Sequence, residues 1–209
     1  MITTILFDLG GVLIAWDPII PYLKAFDGDR EKAQWFIDNI CTMDWNEEQD
    51  GGRSIAEANR IAIASHPEHE ELIKLYYGEW ESMLTGAIEG TVDIFRELKE
   101  SGKYQICSIT NWSAETFPIA LARYDFLQWF EDISVSGELK MRKPFPEIYQ
   151  HTLDKNNIVA KEALFIDDNL RNIEAAQALG IQTVHFQSAS QLRAELLKLG
   201  VELSGFAPL

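Results

Sequence analysis

From Ala87 to Phe186 the chain alternates between short apolar runs and amphipathic stretches of helical period, and this alternation limits the fold more than any other feature. Thr91 to Lys99 places Val92, Phe95 and Leu98 on one helical face and stops at Ser101-Gly102. The run from Tyr104 to Ile109 follows as a strand. A helix is then predicted from about Ala114 to Tyr124, a strand over Asp132 to Val135, and a helix that opens at Pro146 and reaches Leu153. A strand from Ala163 to Ile166, a helix from Ile173 to Leu179 stopped by Gly180, and a strand from Thr183 to Phe186 complete the series. Strands separated by helices pair in parallel, with helices on both faces. The expected fold class is therefore α/β, with a doubly wound, mostly parallel, Rossmann-like sheet.

The apolar run Ile5-Leu6-Phe7 near the start belongs to the same sheet, and it ends abruptly on Asp8, followed by Gly10-Gly11. Between this strand and the alternating part the pattern changes. Ala33 to Ile40 and Ile55 to Ala62 have helical spacing, Asp50-Gly51-Gly52 and His66-Pro67 punctuate as turns, and no strand-like run is evident. Residues 15–87 are thus expected to form a helical cap inserted after the first strand, with 1–14 and 88–209 forming the core. His66 and His69 sit on a polar connection without a third ligand nearby and are expected to be solvated. The aromatic side chains Trp16, Trp35, Trp45, Tyr76, Tyr77 and Trp80 are expected mainly as core, whereas Trp112 follows the presumed active edge.

Composition narrows the function classes. With 18 Lys and Arg against 33 Asp and Glu, the formal charge is −15, which argues against nucleic acid or an anionic membrane as partner. A small anion remains compatible if a metal ion or a few placed lysines receive it. The apolar runs are too short and too interrupted for a membrane span or a signal peptide, so a cytoplasmic protein is expected. Cys41 and Cys107 are too isolated for a disulfide framework or a zinc site and are expected to be buried thiols.

In a parallel sheet all carboxyl ends lie on one edge, where open α/β sheets bind ligands. Asp8 would meet there Thr110-Asn111 after one strand, Lys143 from the loop Met141-Arg142-Lys143-Pro144, and Asp167-Asp168-Asn169 after another. Each alone has an ordinary explanation: Thr110-Asn111 and Asp168-Asn169 are good helix starts, and Lys143 is at home in a solvated loop. Their joint occurrence at successive strand ends is what those explanations miss.

Taken together these segments resemble the four motifs of the haloacid dehalogenase superfamily, in order. They are Phe7-Asp8-Leu9-Gly10-Gly11-Val12, Ser108-Ile109-Thr110-Asn111, Lys143-Pro144-Phe145-Pro146-Glu147-Ile148-Tyr149, and Phe165-Ile166-Asp167-Asp168-Asn169 with the trailing Asn172-Ile173-Glu174. Within the superfamily the run Met141 to Pro144 with Ile148-Tyr149-Gln150-His151 looks most like the bacterial glucose-1-phosphate phosphatase type.

The resemblance implies a phosphohydrolase for a small phosphorylated metabolite, a sugar phosphate among the candidates, working as a monomer or homodimer. Asp8 would be the nucleophile, forming an aspartyl-phosphate that water hydrolyses. Mg²⁺ would be held by the Asp8 carboxylate, the Gly10 carbonyl and the Asp168 carboxylate. Thr110, the Asn111 amide and Lys143 would hold the phosphate oxygens, and Asp167 would orient the metal's waters or Lys143.

Position 10 departs from the family pattern. Many phosphatases of the superfamily carry there an aspartate that protonates the leaving group, whereas this chain has Gly10. The expectation is a substrate whose leaving oxygen needs little help, such as an anomeric sugar oxygen or an acyl carboxylate. Glu47 and Asp50 could supply a replacement acid, but a solvated helix face is the expected place for both. Gly10 also keeps open a metal-free 2-haloacid dehalogenase, against which the Asp167-Asp168 pair stands, because added carboxylates would raise the pKa of Asp8. A catalytically silent binding module is the third reading.

Overall fold

Seven strands organise the chain in the computed structural model, which describes residues 1–203: β1 Thr4–Phe7, β2 Ile14–Trp16, β3 Leu84–Ala87, β4 Gln105–Thr110, β5 Asp132–Val135, β6 Ala163–Asp167 and β7 Gln182–His185. Five of them form one parallel sheet in the order β5-β4-β1-β6-β7. The chain builds outward from β1 to β4 and β5 and then crosses to β6 and β7 on the other side, so β1 lies at the reversal of strand order. Successive side chains of a strand point to opposite faces, and β1 buries both. Ile5 and Phe7 join one apolar cluster with Val92, Phe95 and Leu98, while Leu6 joins another with Cys107, Phe165, Ile148 and Tyr149.

The alternating part follows the expected order, with shifted helix ends. The helix expected from Ala114 begins at Phe117, because Pro118 occupies its first turn and Ser113 to Thr116 form a tight turn on the Ser113 carbonyl. The helix expected from Ile173 begins at Leu170, since the Asn169 side chain accepts from Arg171 N at 3.0 Å and caps it a turn earlier. Residues 204–209, the end of the expected core range 88–209, lie outside the described residues.

Between β2 and β3 the chain forms six α-helices: Ile20–Ala25, Arg30–Asn39, Met43–Asp50, Ile55–Ser65, Glu70–Gly78 and Trp80–Met83. Asp29, Thr42 and Ser54 cap three of them by accepting from backbone N–H groups. The absence of strands expected here is corrected by β2 and β3, which pair antiparallel at the base of the helices. These runs are three and four residues long. Too short to show a period, they are defined by each other.

Cys41 and Cys107 are buried free thiols, as expected. His66 and His69 are half-buried rather than solvated, and the His69 ring meets that of Phe36 edge-on at 5.5 Å. Among the described residues no helix is long and apolar enough to cross a membrane.

Candidate active site

The register of β1 determines what stands beside Asp8. Phe7, the last residue of β1, pairs with Ser108 on one side and Ile166 on the other, so the residue that follows it is level with Ile109 and Asp167. Asp8 is 8% exposed, and its Oδ1 accepts from Leu9 N at 2.7 Å and lies 2.9 Å from Lys143 Nζ. Among the described residues no donor reaches Oδ2, which leaves one oxygen of Asp8 free.

Lys143 is fully buried and also donates to Asp167 Oδ2 at 2.7 Å. Its backbone is held by Asn111 in a reciprocal pair: Lys143 N donates to Asn111 Oδ1 at 2.8 Å, and Asn111 Nδ2 donates to the Lys143 carbonyl at 2.9 Å. Burial alone would lower the pKa of Lys143, but Asp167 and Asp8 outweigh it and keep the ammonium charged. Asp167 is saturated. It accepts from Lys143, from Asn169 N at 2.7 Å and from Asn172 Nδ2 at 3.0 and 3.1 Å. Asn172 was not singled out as a site residue from the sequence, although it lies in the last quoted motif.

Asp168 approaches from the same strand end. The carboxylates of Asp8, Asp167 and Asp168 can each present an oxygen within 4.8 Å of the others. One lysine offsets one of these three charges. Burial pushes the Asp8 carboxyl up, to about 8, with Lys143 opposing and Asp167 adding to the rise. Such a cluster suits a small hard cation with oxygen ligands. Gly11 makes room for it: with φ +76°, a Cβ there would stand 2.2 Å from Asp168 Oδ2. Gly11→Ala is therefore expected to displace the Asp168 carboxylate and to lower Tm by roughly 5 °C or more, from a left-handed strain of about 1–2 kcal/mol plus the clash. An unchanged melting curve would contradict the close approach.

Thr110, at the end of β4, is buried with its hydroxyl unpartnered in the fold, an unsatisfied donor at the edge where an anion would arrive. It stands beside the cavity rather than among its lining residues. The cavity itself, of about 250 Å³, opens over Asp8, Lys143 and Asp168 and is roofed by the helical segment. Trp16 and Trp80 from that segment line it together with Trp112, whereas Trp35 is 52% exposed and Trp45 packs against Tyr76. Trp80 is core as expected, 5% exposed within the main apolar cluster against which Trp16 packs, and both rings also wall the cavity. Their spacing in the chain carried no signal of which rings would face the cavity.

Glu47 and Asp50 are not on a solvated face. Both line the cavity, Asp50 is 8% exposed, and Glu47 pairs with Arg171 at 2.7 Å across the boundary between helices and sheet. Arg142 reinforces that boundary, donating to the Glu47 carbonyl at 2.6 Å and to Glu48 at 3.1 Å. Arg142, from the loop after β5, and Arg171, in the first turn of the helix after β6, thus hold the Met43–Asp50 helix over the sheet edge.

Comparison with known proteins places these features in a family context. Residues 46–186 match the family described as haloacid dehalogenase-like hydrolase. The chain is 28% identical over 197 residues to a sesquiterpene phosphatase of Aspergillus oryzae, covering 93% of this chain and 94% of that protein. It is 24% identical over 201 residues to a drimenol cyclase of Aspergillus calidoustus, where the match covers 95% of this chain but 37% of that longer protein. Among solved structures it resembles a haloacid dehalogenase family enzyme of Bacteroides thetaiotaomicron in complex with magnesium and inorganic phosphate. That likeness has a TM-score of 0.66 at 29% identity and covers 90% of this chain and 96% of the other.

Proposed function

The chain belongs to the haloacid dehalogenase-like hydrolase family, and from that premise we propose that it is a Mg²⁺-dependent phosphohydrolase that acts on a small phosphorylated metabolite through an aspartyl-phosphate. The observation that carries the proposal is the single buried ammonium of Lys143 bridging Asp8 Oδ1 and Asp167 Oδ2 beside Asp168, at the carboxyl edge of a parallel sheet. A site with this charge balance can hold a cation and, through it and Lys143, attract an anionic substrate toward an anionic nucleophile.

In this reading Asp8 Oδ2 attacks phosphorus, because Oδ1 is held by Leu9 N and Lys143. Lys143 and the Thr110 hydroxyl hold the phosphate oxygens on which charge spreads. The side-chain amide of Asn111 is engaged in fixing the Lys143 backbone, so Asn111 contributes its backbone N–H to the phosphate and its side chain to the position of Lys143. Asp167, with all its bonds made, orients Lys143. Asp8, Asp168 and the Gly10 carbonyl would hold Mg²⁺, which when bound supplies charge neutralisation to the nucleophile and the transferring phosphoryl group.

The helices of residues 15–87 serve as a cap that excludes water and selects the substrate. A cavity of about 250 Å³ walled by Trp16, Trp80 and Trp112 with Asn46 at its rim suits a small ring or short apolar group bearing hydroxyls, a sugar phosphate among them. Burial, with Asp167 and Asp168 adding to it, holds the Asp8 carboxyl above its ordinary range against the pull of Lys143, which speaks against metal-free displacement at carbon.

The test is phosphate release from sugar 1-phosphates, sugar 6-phosphates, acyl phosphates, terpenyl phosphates and nucleotides, with Mg²⁺ and with chelator. Release from at least one class that chelator abolishes and Mg²⁺ restores is expected. No release from any of them, with halide freed from a 2-haloacid in chelator, would replace this reading by the dehalogenase.

A further inference from the structure

We propose that Asp50, delivered by the helical cap, is the proton donor and acceptor of this site and takes over the task of the carboxylate that position 10 lacks. The proposal rests on the aspartyl-phosphate reading above.

Asp50 is the last residue of the Met43–Asp50 helix, where the negative end of the helix dipole opposes an anionic side chain. It is buried, it lines the same cavity as Asp8 and Lys143, and among the described residues no cation forms an ion pair with it. Yet its carboxylate is not loose. Asp50 Oδ2 accepts from Asn46 Nδ2 at 3.3 Å, at the end of a chain whose every direction is determined. Arg53, which can only donate, gives its Nε–H to Gln49 Oε1 at 2.7 Å, so Gln49 Nε2 must face the Tyr77 hydroxyl at 3.0 Å. Tyr77 then donates to Asn46 Oδ1 at 2.9 Å, joined there by Tyr76 at 3.1 Å, and this turns the Asn46 amide toward Asp50. Four side chains and an arginine are spent on orienting one buried acid at the roof of the cavity. A stabilising role alone explains this poorly, because a buried acid without a cation costs stability.

The groups facing Asp50 are Glu47 on its own helix, Arg142 and Lys143 from the loop after β5, and the Ser113 backbone from the loop after β4. Burial and then Glu47 raise its carboxyl to about 7, against the pull of Arg142 and Lys143. Near neutral pH both protonation states are populated, as a group that gives a proton in one half-reaction and takes one in the next requires.

In the first step Asp8 Oδ2 forms a bond to phosphorus, the bond from phosphorus to the leaving oxygen breaks with its electron pair on that oxygen, and the Asp50 proton moves to it. In the second, ionised Asp50 takes a proton from water as the water oxygen bonds to phosphorus. The acyl-phosphate bond then breaks with its electrons returning to Asp8, and Asp50 is again protonated. This account and the expectation of a substrate needing no acid make opposite predictions. With Asp50 acting, wild-type rates depend weakly on leaving-group basicity.

The experiment compares wild type, Asp50→Asn and Gly10→Asp/Asp50→Asn on alkyl, aryl and acyl phosphates with Mg²⁺. Asp50→Asn is expected to slow alkyl phosphates by about 10²- to 10⁴-fold. Acyl phosphates should still phosphorylate Asp8, so that a burst appears and acid quench traps the phosphoenzyme. The basic limb in kcat/KM near pH 7 for alkyl phosphates should vanish. Position 10 is not left-handed and a Cβ there meets nothing within 4 Å, so Gly10→Asp is sterically admitted and is expected to restore at least tenfold of the alkyl phosphatase activity.

Folding of the Asn variant is checked by the same titration. Because the folded carboxyl lies above its ordinary 3.8, the native state binds more protons than the unfolded one, and wild-type stability falls as pH rises from about 4 to 7. Asp50→Asn should lessen that fall, to which the raised Asp8 carboxyl contributes separately, and should melt higher than wild type at pH 8. Equal slowing of alkyl and acyl phosphates with no phosphoenzyme and no rescue overturns the role, as does a steep wild-type dependence on leaving-group basicity. Wild-type turnover untouched by Asp50→Asn removes this proposal alone. Absence of phosphate release by wild type from any substrate removes the phosphatase reading and this proposal with it.

Discussion

Asp8→Asn is expected to reduce phosphate release by roughly four orders of magnitude or more, since Asp8 is the carboxylate of the cavity held by Leu9 N and Lys143 through one oxygen with the other left free to attack. The fold should survive the change. The asparagine amide oxygen can accept the bonds that Leu9 N and Lys143 Nζ now give to Oδ1, at 2.7 and 2.9 Å, and the side-chain volume is conserved. Tm is accordingly expected within a few degrees of wild type, measured by calorimetry alongside the assay. A variant that retains measurable turnover above the level of a buffer blank, with no phosphoenzyme trapped from wild type, would assign the nucleophile elsewhere.

The second large effect concerns Lys143. Its ammonium is fully buried between Asp8 and Asp167, and Lys143→Met leaves those carboxylates without their direct counter-charge. Removing one partner of a buried ion pair typically costs about 3–5 kcal/mol. For a chain of this size that corresponds to a Tm drop of about 10 °C, part of which Mg²⁺ should return by neutralising the same carboxylates. Activity should fall by about 10²- to 10³-fold even when Mg²⁺ is saturating, because a donor to the transferring phosphoryl group is gone. Lys143→Arg separates the two effects: it keeps the charge, but its planar fork does not match one nitrogen held 2.9 Å from Asp8 and 2.7 Å from Asp167 over the Phe165 ring. Stability nearer wild type with activity still low is the expected result. Full activity in the arginine variant would mean that charge alone, not position, is used.

Much of this was legible in the chain. The apolar runs at Ile5 to Phe7, Gln105 to Ile109 and Ala163 to Ile166 announce strands by their length and residue types, and the helices between them determine that they pair in parallel. Once parallel pairing is accepted, the meeting of Asp8, Thr110-Asn111 and Asp167-Asp168 at one edge follows from geometry. Two short strands escaped notice because Ile14–Trp16 and Leu84–Ala87 have no periodicity of their own and exist only as partners across the whole helical segment.

Asp50 marks the clearest limit. It is followed by Gly51-Gly52 and preceded by Glu47, Glu48 and Gln49, a stretch that reads as a solvated helix end by every local measure. It is buried because Arg142 and Arg171, distant in the chain, hold that helix over the sheet edge. Trp16, Trp35 and Trp80 teach the same lesson from the apolar side, since three similar residues end as a cavity wall, a half-exposed surface ring and another wall.

The amino-acid sequence by itself determined the order and kind of the elements, the parallel sheet and the edge at which the charged residues gather, because strand period, helix period and crossover handedness are local or nearly local properties of a chain. Only the tertiary structure decided which of those charges are buried, which nitrogen faces which oxygen, and which acid of the helical segment turns inward. Burial and pairing depend on contacts between segments as far apart as Glu47 and Arg171, separated by 124 positions, and no local pattern encodes the dielectric surroundings that such contacts create.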